Sequence, residues 1–144
     1  MTLKDTEWIS NKLIEGNNLD EILNETDKYF IDKEAKNFLN ELLINNKLKK
    51  SDVIKLSGLS SAYVYELFNG FKKPTRNKCI QLAYGLKLDF NETQKLLRYF
   101  NLNSLYAKVK RDAVVIFCIN KKMSLFDTDE ILYDLKESTF LSDK

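Results

Sequence analysis

Histidine is absent from the 144 residues, and cysteine (two), proline (one), glycine (four) and tryptophan (one) are scarce. Without histidine the chain has no imidazole for acid–base catalysis, and the two thiols alone make no common Cys/His zinc site. Cys79 and Cys118, with 38 residues between them, build no disulfide framework and are expected as buried small hydrophobes. No glycine-rich phosphate loop and no convincing nucleophile arrangement occur, so no catalytic residue, metal or cofactor is expected and enzymatic activity ranks low. Long apolar runs are missing too. The longest, 113–119, is far short of the ~20 residues a membrane helix needs. Residues 1–20 carry Lys4, Asp5, Glu7, Lys12, Glu15 and Asp20 and so do not resemble a signal peptide, which makes a cytoplasmic protein without membrane contact the expectation.

What is present is a 44% apolar fraction, enough for a packed core, and a segregated charge. Net charge is only +2, but residues 1–46 hold five lysines against ten acids, residues 47–78 hold eight Lys/Arg against two, and residues 79–144 hold ten against nine. The positive charge sits in the central third. An anionic partner bound by one face fits that pattern.

Sustained period-two alternation is lacking, whereas apolar residues return every three or four positions, which predicts an all-α fold. A first helix over about 5–15 carries Trp8, Ile9 and Leu13 before Gly16 and Asn17; a second short one carries Leu19, Ile22 and Leu23. Asp32 can cap a third, with Ala35, Phe38, Leu39, Leu42 and Leu43 on one face until Asn45 and Asn46. Three short helices follow, over about 50–57, 61–69 and 76–86. Gly58 supplies a positive φ between the first two, Ser60 a cap, Gly70 a stop, and Pro74 with Thr75 the entry to the third. Asp89 with Glu92 opens a helix bearing Leu96, Leu97 and Phe100. A broad apolar helix over 110–120, expected as an interior element because Ala113, Val114, Ile116, Phe117 and Cys118 leave little polar face, precedes one opened by Ser124 with Asp127. The carboxylates Asp127, Asp129 and Glu130 are explained by capping and the helix dipole rather than by a metal.

The segment from Lys50 to Gly70, followed by Phe71-Lys-Lys-Pro-Thr-Arg76, has the order helix, glycine turn, serine cap, short helix. It resembles the lambda-repressor-like helix-turn-helix domains of the XRE family over roughly residues 34–100. The run from Tyr106 through Lys110 and Arg111 to Tyr133 is similar to the tail of small bacterial helix-turn-helix regulators. The resemblance implies an N-terminal helical extension (1–31), a helix-turn-helix DNA-binding domain (32–101) and a C-terminal helical extension (102–144) packed on the same body. It implies Val53, Ile54, Leu59, Val64 and Leu67 as internal, with Ser57 standing where leucine is usual. Ser61, Ala62, Tyr65, Glu66 and Asn69 become candidates for reading bases, and Lys49, Lys50, Lys72, Lys73, Arg76, Asn77 and Lys78 candidates for phosphate. The implied function is a sequence-specific regulator of transcription, a bacterial or mobile-element repressor bound to double-stranded DNA as a homodimer. The competing expectation is a helical adaptor or inhibitor that meets a protein partner through its N-terminal or C-terminal helices.

Overall fold

The computed structural model describes residues 3–26 and 32–141, so the outer ends of the 1–31 and 102–144 extensions, and residues 27–31, lie outside the described residues. Nine α-helices and no strand occur among them: α1 (Leu3–Glu15), α2 (Leu19–Thr26), α3 (Lys33–Asn45), α4 (Lys50–Ser57), α5 (Ser61–Phe68), α6 (Arg76–Gly85), α7 (Phe90–Tyr99), α8 (Lys110–Asn120) and α9 (Leu125–Asp134). The all-helical expectation holds, and the sequence-derived limits of α4 and α8 are met to the residue.

The starts of the helices follow the expected chemistry. Asp32 accepts from the Ala35 N–H at 2.9 Å, Ser60 from Tyr63 at 3.1 Å and Ser124 from Asp127 at 3.0 Å. Asp89 and Glu92 form a reciprocal capping box, the carboxylates accepting from each other's backbone N–H at 2.8 and 3.1 Å.

The ends follow a rule that glycine content hides. After α3, α6, α7, α8 and α9 the chain turns through a left-handed residue, and these are Lys47, Lys87, Asn101, Lys122 and Lys136 rather than glycine. Each end closes with paired backbone bonds; at α6, Lys87 N–H donates to Tyr84 and Leu88 N–H to Ala83. The residue that follows is usually apolar (Leu48, Leu88, Leu102, Met123) and folds back toward the body. Exposed lysine tolerates the strain because its side chain stays in water while the apolar neighbour is anchored.

One continuous core runs from Leu39 to Phe140. α6 is its axis: it packs on α4 and α7, and every residue from Cys79 to Leu86 is buried. The tightest approach is between α4 and α6. A Cβ on Gly85 would stand 2.9 Å from the Val53 carbonyl oxygen, the Val53 Cγ1 and the Ser57 Cβ. Ser57, the departure from leucine, is wholly buried, and its main-chain oxygen accepts from Gln81 Nε2 at 3.1 Å. A small residue on each helix permits the contact. α3 reaches the same body by stacking Phe38 on Tyr99 of α7, with ring centroids 4.1 Å apart.

The C-terminal helices join this core rather than forming one of their own. The Tyr84 hydroxyl is 2.7 Å from Thr128 Oγ1, and Gln94 bonds both the N–H and the carbonyl of Leu105. After α9 the chain folds back: Asp129 accepts from the N–H groups of Phe140 and Leu141, and Leu141 lies against Gly58 in the α4–α5 turn. α8 packs on two neighbours, α7 and α9, as its apolar breadth implies. Phe117, however, faces outward at 56% exposure, because the buried positions of α8 are Asp112, Val115, Cys118 and Ile119. Both cysteines are buried free thiols, and burial pushes the Cys79 pKa up to about 12.

Two substitutions at neighbouring positions are expected to act in opposite directions. Gly85→Ala should lower the unfolding free energy by about 1–3 kcal/mol through overpacking against the α4 backbone, despite the better helix propensity of alanine. Lys87→Gly should raise it by roughly 0.5–1 kcal/mol by relieving the left-handed strain. Urea unfolding checks both; an increase for Gly85→Ala would show that α4 and α6 are not in tight contact.

Candidate nucleic-acid interface

α5 is a two-turn helix with a strict division of faces. Val64, Leu67 and Phe68 are fully buried, whereas Ser61, Ala62 and Tyr65 are exposed and Glu66 and Asn69 partly so. Its start is capped by Ser60 after the left-handed Gly58 (φ 70°). Its end is held by α3: Asn40 Nδ2 donates to the Phe68 carbonyl at 2.9 Å, and the Asp32 N–H to the Gly70 carbonyl at 2.9 Å. Ser57 Oγ accepts from the Leu59 N–H at 3.1 Å and fixes the turn that leads into it. The helix is thus anchored at both ends. The five residues expected to read bases lie together on its outer side or at its C-cap, Asn69 being the cap itself.

Lysines border this face. Lys50, in the first turn of α4, holds its ammonium 5.4 Å from the Tyr65 ring centroid. On the other side, Lys72 and Lys78 stand 5.6 and 4.9 Å from the ring of Tyr63. Such cation–π contacts position a cation without neutralising it. Tyr63 is thus the post on which two lysines rest. Its half-burial raises the pKa of its hydroxyl, which keeps the ring neutral. Lys49 and Lys73 are exposed, and neither is in an ion pair among the described residues. The Lys49 backbone N–H donates to Asp52 at 2.8 Å, which fixes the start of α4 while the Lys49 side chain remains in solvent.

Two of the sequence candidates are engaged elsewhere. Arg76, expected on phosphate, spends all three guanidinium nitrogens within the chain. Nη1 and Nη2 clasp the buried Asp112 carboxylate at 3.2 and 2.8 Å, Nη2 also donates to the Ser104 carbonyl, and Nε donates to Asn103. Asp112 further accepts from the Tyr106 N–H at 2.9 Å, so this pair fastens residues 103–106 and α8 to the first turn of α6. Asn77 is exposed at the same turn, but its Oδ1 accepts from Arg111 Nη1 at 2.9 Å. The sequence offered no signal for these pairings of Arg76 and Asn77, which join residues 27 to 36 positions apart. Glu66 is drawn toward Lys72, with 3.8 Å between the charged atoms, the lysine exposed and the glutamate partly so. That contact is worth little in water, and Glu66 stays available to a partner that displaces the lysine.

The geometry leaves a short rigid helix whose outer side chains are small or hydrogen-bonding, with cations on both flanks. A helix of this kind fits the ~12 Å major groove of B-form DNA, with its flanking lysines toward the two phosphate walls. No group of three or more metal-ligating side chains occurs among the described residues, and none of their helices is long and apolar enough to cross a membrane.

Asp112→Asn should cost about 2–4 kcal/mol of stability by leaving the Arg76 charge without its counterion, whereas Lys73→Ala should change stability by less than about 0.5 kcal/mol. Chemical unfolding of the two variants checks the contrast; equal effects would mean that Arg76 is not a structural clasp. Compared with models of protein families, with curated proteins and with solved structures, the chain shows no significant match to any of them.

Proposed function

We propose that the protein is a sequence-specific double-stranded DNA-binding regulator of transcription, in which α4 and α5 act as a helix-turn-helix of the XRE type. The observation that carries this reading is the outer face of α5, with Ser61, Ala62, Tyr65, Glu66 and Asn69 lying between Lys50 on one side and Lys72 and Lys78 on the other. The lysines supply the sequence-independent, salt-dependent attraction, and the small and polar residues between them discriminate base edges. Ser61 and Asn69 bond to bases, Ala62 meets a thymine methyl, and Glu66 accepts from a cytosine amino group. Arg76 takes no part in binding and maintains the body instead. A single short helix reads few base pairs, so the protein acts on a two-fold site as a homodimer, as a repressor in the cytoplasm of a bacterium or on a mobile element.

A protein-binding adaptor is the second reading. It is favoured by exposed apolar side chains outside the lysine face, among them Ile14 at 79% and Tyr133 at 76% exposure.

Selection of binding sites from a random duplex library with the purified chain, followed by salt titration, separates the two. Lys72→Ala with Lys73→Ala should weaken all duplexes alike and reduce the salt slope by ~0.9 for each phosphate that is no longer neutralised. Alanine at Ser61, Glu66 or Asn69 should change the preferred bases more than the overall affinity, by up to about 1–3 kcal/mol for a good base pairing. If the folded chain binds no duplex at low salt, the adaptor reading replaces this one.

A further inference from the structure

The N-terminal hairpin differs from the rest of the molecule in both packing and charge. Its helices α1 and α2 pack on each other, with Lys12 bridging to Glu25 at 2.9 Å, and among the described residues none from the hairpin belongs to the main core. It is also acidic: residues 3–26 carry six carboxylates against two lysines. Glu7, Glu15, Asp20 and Glu21 are exposed and form no ion pair among the described residues; nor do Lys49, Lys50, Lys73 and Lys78, while Lys72 has only the loose 3.8 Å contact with Glu66. Opposite charges are therefore held in one chain without meeting.

Topology puts them within reach. The chain enters the body at Asp32, whose N–H donates to the Gly70 carbonyl at 2.9 Å. Gly70 closes α5 and directly precedes Phe71, Lys72 and Lys73, so the tether of the hairpin starts beside the lysine loop. Six peptide steps from Thr26 to Asp32 span at most about 20 Å. Covalent attachment over so short a reach keeps the hairpin's carboxylates near the lysine loop, where a weak electrostatic contact suffices.

From this we infer that the acidic α1–α2 hairpin docks on the lysine face of α5 as an intramolecular occupant that competes with DNA phosphate. The inference rests on the assignment of that face to DNA. Carboxylates of α1 and α2 take the places of phosphate oxygens beside Lys49, Lys72 and Lys73, and the exposed Leu19 and Ile14 give the hairpin an apolar edge to lay against Tyr65, itself 48% exposed. Docking lowers the affinity for every duplex by the same factor, so that at a given DNA concentration nonspecific sites are left largely unoccupied while a cognate site, intrinsically tighter, still fills. High salt weakens the hairpin and the nonspecific duplex together.

Two full-length variants test it. The first neutralises the hairpin by Glu7→Gln, Glu15→Gln, Asp20→Asn and Glu21→Gln. The second removes the same charge from α9 and its end by Asp127→Asn, Glu130→Gln, Asp134→Asn and Glu137→Gln, and so controls for the long-range field. Each is compared with the parent chain for affinity to a random-sequence 30-base-pair duplex at low salt, and for lysine acetylation by limiting acetic anhydride in the absence of DNA. The hairpin variant should bind about fivefold or more tightly than the parent, with the α9 variant within about twofold. Lys49, Lys72 and Lys73 should acetylate faster in the hairpin variant alone, with Lys87 and Lys122 unchanged. Equal gains in both variants, or acetylation that does not change, would overturn the inference. Duplex binding with unchanged acetylation removes the docking and leaves the DNA reading intact; faster acetylation with no duplex binding by any form retains the docking and removes the DNA reading.

Discussion

The close approach of α4 and α6 governs what the rest of the molecule can present. Gly85 has no room for a methyl group against Val53 and Ser57, so α4 is seated on α6 by backbone-level contact rather than by adjustable side chains. α4 ends at Ser57, whose hydroxyl and carbonyl are both used, and Gly58 then turns the chain into α5. An error in the α4–α6 distance would be passed on to α5. Interiors packed to this density transmit such shifts rather than absorb them.

Around that contact the charged residues divide into two populations by solvation. Arg76 and Asp112 are drawn inward and saturated with hydrogen bonds, and they hold α8 and residues 103–106 on α6. The lysines near α5 remain outside, steered by aromatic rings and free to exchange water for an anion. A guanidinium fork suits the first task because it engages a carboxylate and two carbonyls in one plane; an ammonium suits the second because it is a mobile point charge.

The sequence made the helices legible wherever a local signal existed. Ser60, Asp32 and Asp89 announced helix starts because a side-chain oxygen three residues before a free N–H has few other uses. The outward row from Ser61 to Asn69 is implied by the helix-turn-helix resemblance rather than by a local signal, and the burial of Val64, Leu67 and Phe68 leaves that side of α5 outermost. The left-handed turns beyond the helix ends, at Lys47, Lys87, Lys122 and Lys136, were not legible, because lysine carries no intrinsic left-handed preference and the anchoring mostly lies in the apolar residue after it. The engagement of Arg76 was not legible, because its neighbours in sequence are basic while its partner, Asp112, comes from another helix. The exposure of Phe117 was not legible, since a helix as apolar as α8 has more apolar residues than its buried face can take. Gly85 gave no warning either, since its role exists only once α4 lies on it.

The central proposal is that the face formed by Lys49, Lys50, α5 and residues 72–78 is where duplex DNA binds. Backbone amide chemical-shift mapping of the isotopically labelled full chain during titration with its selected duplex tests this most directly. Perturbations should concentrate at residues 49–50, 61–73 and 77–78, with α9 and the far ends of α3 and α7 unaffected. Perturbations centred on α8 and α9 instead, or none at low salt, would contradict it.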